Sequence, residues 1–191
     1  MNHLFCISGF TQQRWGKAKD SGTIQLYGIL RMAIATSLHD TDTHCLEWHD
    51  DPRGYARMVA RDHKGGDKIM ICVYSYGGGW WLMEFLDELA KYGIKVDVVV
   101  ACDPVYRSKY FFLRWKALTK QTLELPENVI RRYVHFVQYL NKPGGDAIYV
   151  PADIDYHGPH ELQYKHVKMD NAPEYHERAK VEAIRLFSGY S

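Results

Sequence analysis

The run Leu4-Phe5-Cys6-Ile7-Ser8 is apolar almost without a break and is ended by Gly9-Phe10-Thr11. A short continuous apolar run of this kind reads as a strand covered on both faces, placed in the middle of a sheet rather than at a wet edge. Similar runs return at residues 67–73 and 94–101, and helix-period segments stand between them. Residues 23–38 are a mostly apolar helix. Residues 45–49 read as the second strand, after which Asp50 or Asp51 caps a helix with Pro52 at its first position. Tyr55, Met58 and Val59 form the apolar stripe of that helix, and Gly65-Gly66 ends it. After the third strand, Leu82, Phe85, Leu86 and Leu89 share one helical face, and the helix stops at Gly93.

Strands alternating with helices at this spacing predict a three-layer α/β sandwich around a mostly parallel sheet of about six strands. Residues 133–139 supply a later strand whose alternation suggests a place nearer the sheet edge. Residues 141–146 are a turn, 147–163 are irregular, and 164–169 are a last short strand or an extended loop. Asp170 or Asn171 then caps a final helix with Pro173 in its first turn, running to about Phe187. A chain of 191 residues fits a single domain with a sizeable core.

The formal net charge of +1 gives no electrostatic footprint for a nucleic-acid partner and no polybasic patch for a membrane surface. Residues 105–128 interleave Tyr106, Tyr110, Phe111, Phe112 and Trp115 with Arg107, Lys109, Arg114 and Lys116. They read as a packed amphipathic helix or as a lid over a site, and the balanced total charge argues against nucleic-acid contact. Cys6, Cys45, Cys72 and Cys102 lie in or beside apolar runs without zinc-type pair spacing, which favours reduced core thiols. The chain enters its first strand without a basic region or long apolar leader, and no apolar run approaches the length of about twenty residues that spans a bilayer. A cytoplasmic protein with no stable membrane insertion is the expectation. Oligomeric state leaves no mark in the sequence.

The chemistry concentrates at Cys72-Val73-Tyr74-Ser75-Tyr76-Gly77-Gly78-Gly79, where a strand runs into a serine and a helix runs out. This is the pattern of a nucleophile elbow, which lifts the serine hydroxyl clear of the sheet. Gly77 stands at the expected place, whereas Val73 occupies the place two residues before the serine where glycine is usual. Gly78 and Gly79 partly offset that change by allowing close packing on the strand.

A serine hydroxyl needs a histidine to take its proton, and the imidazolium needs a carboxylate. Asp103, in Cys102-Asp103-Pro104 just beyond the next strand, is the candidate acid, with Asp146, Asp153 and Asp155 as rivals. His166, in the loop before the last helix, is the candidate base. His176 is second and shares a helical face with Ala179, Ala183 and Phe187, which points to packing. The amides of Tyr76 and Phe10 are the candidate oxyanion hole. Two further clusters, residues 39–44 and 153–160, carry histidines and acids, but neither has a spacing that builds a metal site on one element, and both read as solvated loops.

The residues 71–78, 98–105 and 166–171, together with the Gly9 loop, resemble the α/β-hydrolase superfamily, in particular its small lipase-like and esterase-like members. The resemblance spans nearly the whole chain and implies a reduced α/β-hydrolase fold without the first strands of larger members. It implies Ser75 as nucleophile, Asp103 as acid and His166 as base, acting on a small-molecule acyl substrate without metal or cofactor. The expected activity is ester or related acyl hydrolysis through an acyl-enzyme. The alternatives are a scaffold that has lost turnover and serves in binding, or an acyltransferase.

Overall fold

The computed structural model describes residues 1–10, 21–106, 122–142 and 144–188. Six parallel strands form the central sheet in the order β2-β1-β3-β4-β6-β8. They are β1 (Asn2–Ile7), β2 (Thr41–Leu46), β3 (Ile69–Tyr74), β4 (Val96–Cys102), β6 (Ile130–Val137) and β8 (Asp155–Glu161). A separate parallel pair joins β5 (Thr122–Glu124) to β7 (Ala147–Tyr149). Every residue of β3 and β4 is buried, which accounts for their uninterrupted apolar runs.

Among the described residues, four α-helices cover the sheet: α1 (Gly22–Ala33), α2 (Pro52–Asp62), α3 (Leu82–Ala90) and α4 (Pro173–Phe187). Because side chains alternate along a strand, β1 feeds two cores. Phe5 and Ile7 pack with Ile71, Val73, Trp81 and Phe85 on the α2/α3 side. Leu4 and Cys6 pack with Met70, Cys72, Leu26 and Tyr175 on the α1/α4 side. Phe5 meets the Phe85 ring at 5.3 Å and Trp81 at 6.1 Å, all three fully buried. Each such side chain contributes about 1.5–3 kcal/mol by leaving water.

From β1, one strand in from the edge, the chain first steps outward to β2 and then returns to add β3 on the other side. The point where the strand order reverses therefore lies between β1 and β3, and open α/β sheets hold their sites at the carboxyl ends of such a pair.

Several local expectations shift. The second strand is Thr41–Leu46, so residues 41–46 are sheet rather than solvated loop, and Trp48 and His49 follow the strand. The first helix ends at Ala33 and passes into a 3₁₀ turn over Ala35–Asp40. Asp51 is the N-cap of α2 and Pro52 its first residue, as expected, without a side-chain cap bond. Residues 147–163 contain β7 and β8; the polar, exposed side chains of β8 conceal an edge strand, and Pro159 is tolerated because the edge does not need its N–H. Residues 164–169 hold no strand; His166–Asn171 is a 3₁₀ turn. Ala172, not Asp170 or Asn171, is the N-cap of α4. Asn171 instead caps the other end of the chain, its Oδ1 accepting the Gly22 N–H of α1 at 2.8 Å. Of the segment 105–128, residues 107–121 lie outside the described residues.

Candidate active site

Ser75 directly follows β3 with a positive φ of 50°, a strained value for a residue with a side chain. The strain is held from both sides. The Ser75 N–H donates to Cys102 O at 3.0 Å, and the Ser75 carbonyl accepts from Gly78, Gly79 and Val105 at 2.9–3.1 Å. A π-helical turn, Gly77–Trp81, then leads into α3. Glycine is required by space in this turn. A Cβ on Gly77 would lie 2.8 Å from Ser8 O, and one on Gly79 would lie 2.1 Å from Val105 O.

Asp103 follows β4, also at positive φ (46°), and is fully buried. Its Oδ1 accepts the Gly145 N–H at 2.8 Å and the Gln138 N–H at 3.3 Å. Its Oδ2 is 2.5 Å from His166 Nδ1. On the other side of the ring, His166 Nε2 is 2.8 Å from Ser75 Oγ. With Asp103 ionised, Nδ1 carries the proton and donates it to the carboxylate, so Nε2 accepts from the Ser75 hydroxyl.

The histidine itself is anchored by three contacts. Its N–H donates to Asn141 Oδ1 at 2.8 Å, its carbonyl accepts from Tyr74 Oη at 2.6 Å, and its ring stacks on Tyr74 with centroids 5.3 Å apart. Burial, helped by the Asp170 charge, pushes the Tyr74 hydroxyl well above the usual tyrosine range, which keeps it a donor. Cys102, beside Asp103, has its thiol pushed up by burial and is therefore no rival nucleophile.

Ser75, Asp103 and His166 are thus brought into one hydrogen-bonded chain, and the other acids are engaged elsewhere. Asp146 Oδ2 accepts the Tyr106 N–H at 2.6 Å, Asp153 Oδ2 accepts the Asn128 N–H at 2.8 Å, and Asp155 pairs with Arg132 at 2.8 Å. His176 Nε2 is bound to the Asp170 carbonyl at 2.6 Å within the α4 packing.

The Gly9 loop also comes to the serine. A Cβ on Gly9 would stand 2.7 Å from the Tyr74 ring and 2.9 Å from Ser75 Cβ, so only glycine lets β1 end this close. Phe10, next in the chain, is half-exposed and meets Trp48 at 5.5 Å and Tyr76 at 6.1 Å. Trp48 in turn meets Tyr76 at 4.7 Å and Trp80 at 6.4 Å. An aromatic wall therefore borders the site, drawn from the ends of β1 and β2 and from the elbow. Trp48 carried no signal in the sequence, because it reaches this wall only through the position of β2. Tyr74, Asn141 and Gly145 were equally silent, since their contacts cross 92, 25 and 42 residues.

An open groove of about 630 Å³ between α1 and α4, lined by Ile29, Met32, Asn171 and Lys180 among others, contains none of Ser75, Asp103 and His166. The hydrogen-bonded chain, not that concavity, marks the candidate site. No helix among the described residues is long and apolar enough to cross a membrane. Comparison with protein-family models, curated proteins and solved structures finds no match to this chain.

Proposed function

We propose that this chain is a serine hydrolase that cleaves carboxylic esters or related acyl bonds through an acyl-enzyme. The observation that carries the reading is the continuous chain Ser75 Oγ to His166 Nε2 (2.8 Å) and His166 Nδ1 to Asp103 Oδ2 (2.5 Å). Resemblance to small α/β-hydrolases, stated above on the elbow, the Asp-Pro turn and the His166 segment, agrees with it. In this reading His166 takes the hydroxyl proton as Ser75 Oγ attacks the acyl carbon, and Asp103 stabilises the imidazolium that forms. His166 then returns the proton to the leaving alcohol. Water, deprotonated by the same imidazole, attacks the acyl-enzyme and releases the acid and the free serine.

The amides of Tyr76 and Phe10 are the oxyanion donors in this reading, supported by the close approach of the Gly9 loop to Ser75. The substrate is a small acyl compound, with the wall of Phe10, Trp48, Tyr76 and Trp80 offering an apolar surface beside the nucleophile. A cytoplasmic setting goes with this reading, supported by four free cysteines, three of them buried.

A fluorophosphonate probe tests it. Wild-type protein is expected to be labelled and Ser75→Ala to remain unlabelled, with short p-nitrophenyl esters turned over only by the wild type. Equal labelling of both proteins, or none of either, overturns the assignment. Labelling without ester turnover redirects the search to acyl transfer to an acceptor other than water.

A further inference from the structure

A second cluster of chemistry-bearing side chains lies at the opposite, amino-terminal end of the sheet. The β1/β2 register sets His3 beside Asp42 and Phe5 beside His44. Residues two apart on a strand share a face, so His3, Asp42 and His44 project to the same side of two adjacent strands. One ligand atom from each lies within 4.8 Å of the other two. His44 Nε2 is 3.0 Å from Asp42 Oδ2 but lacks hydrogen-bond alignment.

His3 supplies the independent observation. It is 1% exposed, and neither of its ring nitrogens has a hydrogen-bond partner among the described residues. Buried polar atoms are rarely left so, because desolvation without a partner costs about 1–3 kcal/mol. The rings stacked on it, Phe5 at 6.1 Å and His44 at 6.5 Å, make no hydrogen bond to it. Asp42 is 41% exposed and His44 15%, which leaves an entry path from solvent.

We propose that His3, Asp42 and His44 bind a divalent transition-metal ion of the zinc class, with a water in the remaining position on the Asp42 side. Two imidazoles and one carboxylate suit such an ion, whereas calcium and magnesium prefer all-oxygen shells. Metal–ligand distances of about 2.0–2.2 Å require the three ligand atoms to close by roughly an ångström, within reach of side-chain rotation. The ion clamps the edge strand β2 to β1. Its role is structural, because Ile69 sits beside His3 and Ser75 is six residues further along, a rise of about 20 Å.

The test is calorimetric titration of chelator-treated full-length protein with Zn²⁺, repeated with Co²⁺ to read the visible bands of a tetrahedral site. The wild type is expected to take up one equivalent with a rise in melting temperature. Asp42→Asn, at a partly exposed position that leaves the core intact, and His44→Ala are each expected to weaken binding roughly a hundredfold. Ser75→Ala is expected to bind as the wild type does. No stoichiometric uptake, unchanged affinity in Asp42→Asn, or loss of binding in Ser75→Ala overturns the proposal. Esterase activity enters none of these readouts, so the result stands apart from the reading of the Ser75 site.

Discussion

Val73 and Gly78 divide a single space beside the Ser75 turn. A Cβ on Gly78 would lie 3.3 Å from Val73 Cγ2 and 2.8 Å from Pro104 Cβ. The valine that stands where an elbow usually has glycine is therefore accommodated by the glycine five residues later. Val73 is fully buried among Ile7, Ile71 and Trp81 on the α2/α3 side. Val73→Gly, which restores the usual pattern, is expected to destabilise by about 3 kcal/mol through cavity formation and added backbone freedom, without raising activity. Urea unfolding and ester turnover check this; a stabilised variant would mean that Val73 crowds the elbow.

Asp103 is the acid whose carboxylate reaches the histidine. Asp103→Asn is expected to lower turnover by roughly 10⁴, since an amide in that place favours the wrong imidazole tautomer. Asn replacements of Asp146, Asp153 and Asp155 are expected to stay far closer to wild-type rates. Steady-state kinetics on one ester distinguish the four, and near-normal activity in Asp103→Asn sinks the assignment.

Tyr74 holds His166 in two ways, by its hydroxyl and by its ring. Tyr74→Phe keeps the stacking and removes only the donor to the His166 carbonyl. A loss of about 1–2 kcal/mol in stability is expected, with a fall in kcat larger than any change in KM as the imidazole loses its fixed position. Unchanged stability and kcat together would show that the stacking alone suffices.

His135 gives the fold a pH dependence. Burial lowers its pKa from 6.5 to about 4, against a smaller opposing effect from Asp103. Between those values the unfolded chain binds a proton that the native state does not. Stability due to this group is intact above pH 6.5 and falls with decreasing pH, by about 1 kcal/mol per unit down to pH 4. His135→Gln is expected to flatten the urea-derived stability profile over this window relative to wild type. Superimposable profiles would show that His135 is not held neutral.

Legibility in the sequence follows the range of each interaction. The apolar runs of β1, β3 and β4 and the stripes of α2 and α3 were readable because they depend on period and capping within a dozen residues. The elbow was readable for the same reason, as a strand, a serine and glycines in succession. The ends of β2 and the existence of β8 were not, because an edge strand with one or both faces wet loses the apolar signal. Asn171 was read as a cap for the helix that follows it, and the structure uses it on a helix 149 residues away.

By itself, the sequence determined an α/β alternation and the order serine, aspartate, histidine at successive strand and loop ends. Tertiary structure alone decided which carboxylate meets His166, that Gly78 makes room for Val73, and that His3 lies beside Asp42. Those outcomes depend on strand register and on loops 25 to 90 residues apart closing onto one another. A one-residue slip of β2 would turn Asp42 and His44 to the other face of the sheet, and no local pattern encodes that choice.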